Sequence, residues 1–99
     1  MSAEYPGADE KVDISQLLEL IDLLRDDLKK KAPVKDSVEW YLLNNLLDYG
    51  KALASYKTHE EIGDATRSLS RFCIDSLDWD SEVFRACTEI TVRGRRLAK

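Results

Sequence analysis

The sequence predicts an all-α fold, an antiparallel helical bundle of about four helices, on three observations. Apolar residues recur at three- and four-residue intervals along separate stretches of the chain. Each stretch begins at a residue suited to capping a helix, and the first stops at a proline. The joins are short, which places consecutive helices side by side and antiparallel. A chain of 99 residues buries one modest core and forms one domain.

Residues 1–12 are charged and carry Pro6 and Gly7. They read as a flexible N-terminal arm ahead of a single helical domain, 13–99. The first helix is expected from about Asp13 to Ala32. Asp13 and Gln16 form a capping-box pattern, and Ile14, Leu17, Leu18, Ile21, Leu24 and Leu28 form the stripe. Leu20 and Leu23 widen it. Lys29, Lys30 and Lys31 come last, where the helix dipole favours cations. Pro33 stops the helix.

The second helix is expected from about Ser37 to Tyr56, capped by Asp36. Val38, Leu42, Leu46, Tyr49, Leu53 and Tyr56 give one stripe, and Trp40, Leu43 and Leu47 a second. Gly50 costs about 1 kcal/mol in a helix interior, so it is expected to mark a kink or a close helix crossing. The third helix runs from about His59 to Ser76, with Thr58 and Glu61 as a capping box. Ile62, Ala65, Leu69, Phe72, Cys73 and Leu77 supply its apolar face. After the turn Asp78-Trp79-Asp80, the fourth helix spans about Ser81 to Ala98, capped by Asp80 or Asp78. Val83, Cys87, Ile90 and Leu97 line it. In such a hairpin Cys73 and Cys87 lie level, and both are expected to be buried and reduced.

Composition bounds the function. Charged residues make up 34% and apolar residues 43%, and the net charge is −4. That balance disfavours nucleic acid, whose phosphates demand positive surface, and favours a basic protein partner. The tail Arg93-Gly94-Arg95-Arg96-Leu97-Ala98-Lys99 is a local basic cluster without interleaved aromatics. It is expected to satisfy the helix C-terminus or to pair with the acidic arm. No apolar run approaches the ~20 residues that span a bilayer. The first ten residues lack the apolar core of a signal peptide, so cytoplasm is the expected compartment.

Catalysis is not expected. His59 is the sole histidine, and nothing places it beside an activated Ser or Cys. The cysteine spacing excludes a C-x-x-C motif. No phosphate-binding glycine loop or EF-hand spacing occurs, so neither metal nor cofactor is expected.

What remains is binding. Trp79 in its acid-flanked turn is either a lid on the core or a displayed anchor, and Trp40 shares that ambiguity. Asp22, Asp26, Asp36, Glu39, Glu60, Glu61 and Asp64 lie mostly off the apolar stripes. They are the candidate acidic contacts beside Trp40 and Trp79. A solvated outer face is the plainer account of the same acids.

Ala65-Thr66-Arg67-Ser68-Leu69 leads to an acidic turn, Ile74-Asp75-Ser76-Leu77-Asp78-Trp79-Asp80. The next helix closes as Ile90-Thr91-Val92-Arg93-Gly94-Arg95-Arg96-Leu97. This C-terminal half resembles the small helical immunity proteins of bacterial type VI secretion. In particular it resembles those that neutralise effectors with NAD(P)+ glycohydrolase activity. The leucine-rich run from Leu42 to Leu53 is compatible with them. The resemblance implies a cytoplasmic protein that binds a cognate toxin or effector domain and occludes the cleft that NAD(P)+ enters. The free protein is expected to be a monomer or weak dimer. A helical regulatory adaptor, such as an antiactivator or a secretion chaperone, is the alternative.

Overall fold

The computed structural model describes the backbone of residues 6–98 and the side chains of residues 10–98. Four helices follow in order: α1 (Pro6–Lys30), α2 (Val38–Ser55), α3 (His59–Ser76) and α4 (Glu82–Leu97). Each packs on its neighbours in sequence, α4 closes back on α1, and among the described residues the diagonal pairs keep their backbones apart. The result is a four-cornered antiparallel bundle, an elongated body of 51 × 23 × 23 Å. The expected all-α bundle is the fold that forms.

Helical periodicity selects the core. Leu17, Ile21, Leu28, Leu42, Leu46, Leu53, Ile62, Leu69, Cys87 and Ile90 are all sealed from solvent. Each such leucine or isoleucine contributes about 1.5–3 kcal/mol by leaving water. Leu23, expected to widen the α1 stripe, is 63% exposed instead. It falls on the α1 face that no other helix covers. Ile90-Thr91-Val92, β-like in composition, is continuous α-helix, because tertiary packing overrides a three-residue propensity.

The helix ends differ from expectation at three places. α1 begins at Pro6 rather than near Asp13, so Asp13 is an interior residue and residues 6–12 are helical; the earlier part of the expected arm, 1–5, lies outside the described residues. Proline suits a first helical turn, where its missing N–H costs nothing. Glu10, one turn further on, reaches the Tyr56 hydroxyl and lies 2.6 Å from His59 Nε2, holding this turn to the bundle. α2 is capped by Ser37, whose hydroxyl accepts from Trp40 N at 3.2 Å, and not by Asp36. Asp36 stands at φ 71°, in a left-handed turn that Asp tolerates, and accepts from the Tyr41 hydroxyl. α4 is capped by Ser81, accepting from Phe84 N at 3.1 Å. Asp78 and Asp80 build the preceding turn, the Asp78 carboxylate accepting from Asp80 N.

Thr58 caps α3 as expected, accepting from Glu61 N. The Glu61 carboxylate reaches back one residue beyond the cap, to Lys57 N at 3.2 Å. α1 ends where Ala32 enters the left-handed region at φ 46°, immediately before Pro33.

One buried polar node lies within the apolar core. The Tyr49 hydroxyl of α2 meets Thr66 Oγ1 of α3 at 2.8 Å, and Gly94 of α4 lies against both. Thr66 donates to the Ile62 carbonyl at 2.7 Å. Its single proton is thereby used, so Tyr49 is the donor to Thr66.

Candidate partner-binding surface

The antiparallel arrangement gives the body two ends of different character. At the loop end, the α1–α2 connection (31–37) faces the α3–α4 turn (77–81) across a cleft of about 300 Å³ lined by residues such as Val34, Glu39, Leu77 and Val83. At the other end, the start of α1 meets the α2–α3 turn and the end of α4. Asp13 shares a small cleft there with Arg93 and Arg96.

Trp79 occupies the α3–α4 turn with 64% of its surface exposed. Its indole N–H donates to the Ile74 carbonyl at 2.9 Å. One ring face stacks on Phe84 at 6.1 Å and 22°. The side chain is therefore neither a core lid nor a loose tip. It is held in one orientation and still displayed. Trp40 is half-buried, edge-on to Tyr41 at 5.0 Å. Val34 is 75% exposed in the adjoining loop, so the loop end carries the richest apolar display among the described residues.

The seven candidate acids do not form one surface. Asp36 and Glu39 lie at the loop end with Trp40 and Trp79. Glu60, Glu61 and Asp64 lie in the first turns of α3, at the other end. At 1.5 Å per residue, about 24 Å of helix separates Glu60 from Ser76. Asp22 and Asp26 sit on the exposed side of α1. Several already have local work: Asp22 pairs with Arg25 at 3.4 Å, Asp64 with Arg67, and Glu61 closes the α3 cap. Among the described residues Asp26, Glu39 and Glu60 make no ion pair.

The basic tail is also spread out. Arg93 pairs with Glu89 at 3.3 Å, and Arg95 donates to Ser70 Oγ at 3.3 Å; Lys99 lies outside the described residues. Cys73 and Cys87 are free and buried and line the same stretch of the α3–α4 seam. The neighbouring Cys73 thiol and burial push the Cys87 thiol up from its ordinary value. Cys73 is held lower by the Cys87 thiol beside it, against the opposing effect of burial.

No group of three or more metal-ligating side chains is assembled among the described residues, and no helix is long and apolar enough to cross a membrane. Comparison of the chain with protein-family models, with curated proteins and with solved structures gave no match.

Sequence reasoning named Trp79 from residue type and loop position. It missed Val34 and Ile74, both exposed apolar residues. Val34 follows Pro33 in a segment without helical periodicity, which was the available signal. Ile74 departs from the α3 stripe by one position.

Proposed function

We propose that this chain is an immunity protein, which binds a cognate secreted toxin and occludes its active-site cleft. The toxin's reaction is consumption of NAD(P)+, as the resemblance of the C-terminal half implies. The observation that carries the binding reading is Trp79, an indole oriented by a hydrogen bond and a stacked ring yet largely exposed. A large aromatic fixed before contact loses little conformational freedom on binding, and such residues dominate interface energetics. The compact bundle suits this role because occlusion needs only shape, complementary charge and a few anchors.

Co-purification of the tagged chain from its native cells tests the reading. A toxin recovered at one-to-one stoichiometry, whose nicotinamide release stops when the chain is added, supports it. Recovery of a transcription factor or a secretion component would favour the adaptor alternative. A toxin that stays active in the complex would refute occlusion.

A further inference from the structure

The seam between α3 and α4 runs from an apolar end to a basic end. Ile74, 48% exposed, lies beside Phe84 and Trp79 at the turn. A depression of about 200 Å³ follows, floored by Cys73 and Cys87. It shares Ser70, Ile74 and Arg95 with a second depression of about 320 Å³, lined by Arg67, Arg71, Arg95 and Asp75. The two are therefore one continuous groove. Its basic half holds three guanidinium groups against one carboxylate, in a chain whose net charge is −4. Asp64 engages Arg67 from outside the groove. Arg95 is steadied by Ser70, and Arg71 makes no ion pair among the described residues.

We propose that this groove is a docking site for an acidic amphipathic segment of a partner protein. The inference rests on the binding reading above and adds the face used and the chemistry recognised. Local charge selects the occupant. A basic segment meets like charge at the Arg67–Arg71–Arg95 end, and a wholly apolar one leaves Arg71 and Arg95 without a carboxylate beside it. A segment with carboxylates satisfies them, and Arg presents a planar fork suited to carboxylate. Spacing sets the register. Arg71 and Arg67 lie about one and two helical turns from Ile74 along α3. The fitting segment is a helix lying along the seam, as amphipathic helices lie in grooves. Its apolar side chains pack on Ile74, Phe84 and Trp79, and its carboxylates follow one and two turns away.

The probe is a fluorescein-labelled helical peptide with two leucines at one end and glutamates one and two turns further on, with a glutamine-for-glutamate twin. Fluorescence anisotropy against the full chain should show the acidic peptide binding about tenfold more tightly than its twin, with the advantage shrinking as salt rises. Arg71→Glu with Arg95→Glu should remove that advantage, and Ile74→Ala should weaken both peptides. These residues are exposed, so circular dichroism should stay unchanged and exclude misfolding. Equal binding of the two peptides, no binding, or affinity unmoved by the arginine reversals would overturn the proposal. So would inorganic phosphate alone displacing the peptide completely, which would mark a small-anion site. A recovered toxin whose affinity ignores the arginine reversals would overturn the groove while leaving the immunity reading standing.

Discussion

The Tyr49 hydroxyl lies 2.8 Å from Thr66 Oγ1, and this contact explains why α4 carries a glycine at position 94. A Cβ added there would stand 2.1 Å from the Tyr49 oxygen and 2.6 Å from Thr66 Oγ1. Both neighbours are buried and engaged, so neither gives way cheaply. Gly94→Ala should therefore destabilise by about 1–3 kcal/mol, the usual cost of overpacking a core, despite the better helix propensity of alanine. Tyr49→Phe removes the nearer oxygen and leaves Thr66 bonded to Ile62, so alone it should cost about 1 kcal/mol. The double variant should be less destabilised than the sum of the two, as urea denaturation would report. Strict additivity would mean that the Gly94 contact with Tyr49 is not the source of the cost.

Gly50 gives the opposite expectation. α2 runs through it without interruption. A Cβ there would meet Leu18 Cδ2 at 3.8 Å, an ordinary contact. Gly50→Ala should stabilise by up to about 1 kcal/mol through propensity and reduced freedom of the unfolded chain. For a domain of this size that raises Tm by roughly 4–8 °C. A lower Tm would show that α2 and α1 approach more closely at this turn than their separation allows.

The two glycines also show how far sequence reasoning reaches. Periodicity located α2, α3 and α4 to within a residue or two and named nearly all of the core. It marked Gly50 as a kink or a close crossing, whereas the crossing that requires glycine is at Gly94. A glycine's need for space depends on what other helices place opposite it. Tyr49, Thr66 and Gly94 come from three helices, so no local pattern joins them. The caps went wrong for a related reason. Asp36 and Ser37, or Asp80 and Ser81, are chemically equivalent capping residues one position apart, and backbone geometry chooses between them. The candidate surface was legible residue by residue but not as a patch. Exposure of Trp79 and of the acids follows from residue type, whereas the separation of Glu60 from Asp36 follows only from the antiparallel path of the chain.

Burial of Tyr49 sets a base limit on stability. Desolvation by burial raises its phenol above the ordinary 10.0. Above about pH 10 the unfolded chain releases this proton while the folded chain keeps it, so stability falls as pH rises. The contribution is fully present below the ordinary value and is lost through the raised one. Cys87, raised from 9.0, acts in the same direction, and Cys73, held lower, acts against it, so the tyrosine decides the trend above about pH 10. Urea midpoints measured from about pH 9 to about pH 11 should decline above about pH 10, and Tyr49→Phe should flatten that decline. An identical slope in the variant would assign the titration to other groups.

Trp79, Asp36 and Glu39 share the loop end, while Glu60 and Asp64 lie at the far end, and this separation makes the partner surface decidable. If the loop end docks the partner, Trp79→Ala should cost about 2 kcal/mol or more in binding, since it deletes an anchor already held in place. Its effect on folding should be small because most of the ring is exposed. Charge reversal at Asp36 and Glu39 should slow association more than it speeds dissociation, as exposed charges act on encounter. The same reversal at Glu60 and Asp64 should leave both rates nearly unchanged, beyond the diffuse effect of net charge, which salt screens within about 10 Å. Surface plasmon resonance with a recovered partner measures all four rates. A larger loss at Glu60 and Asp64 than at Asp36 and Glu39 would move the interface to the terminal end, where Arg93 and Arg96 lie beside Asp13, and would remove Trp79 from it.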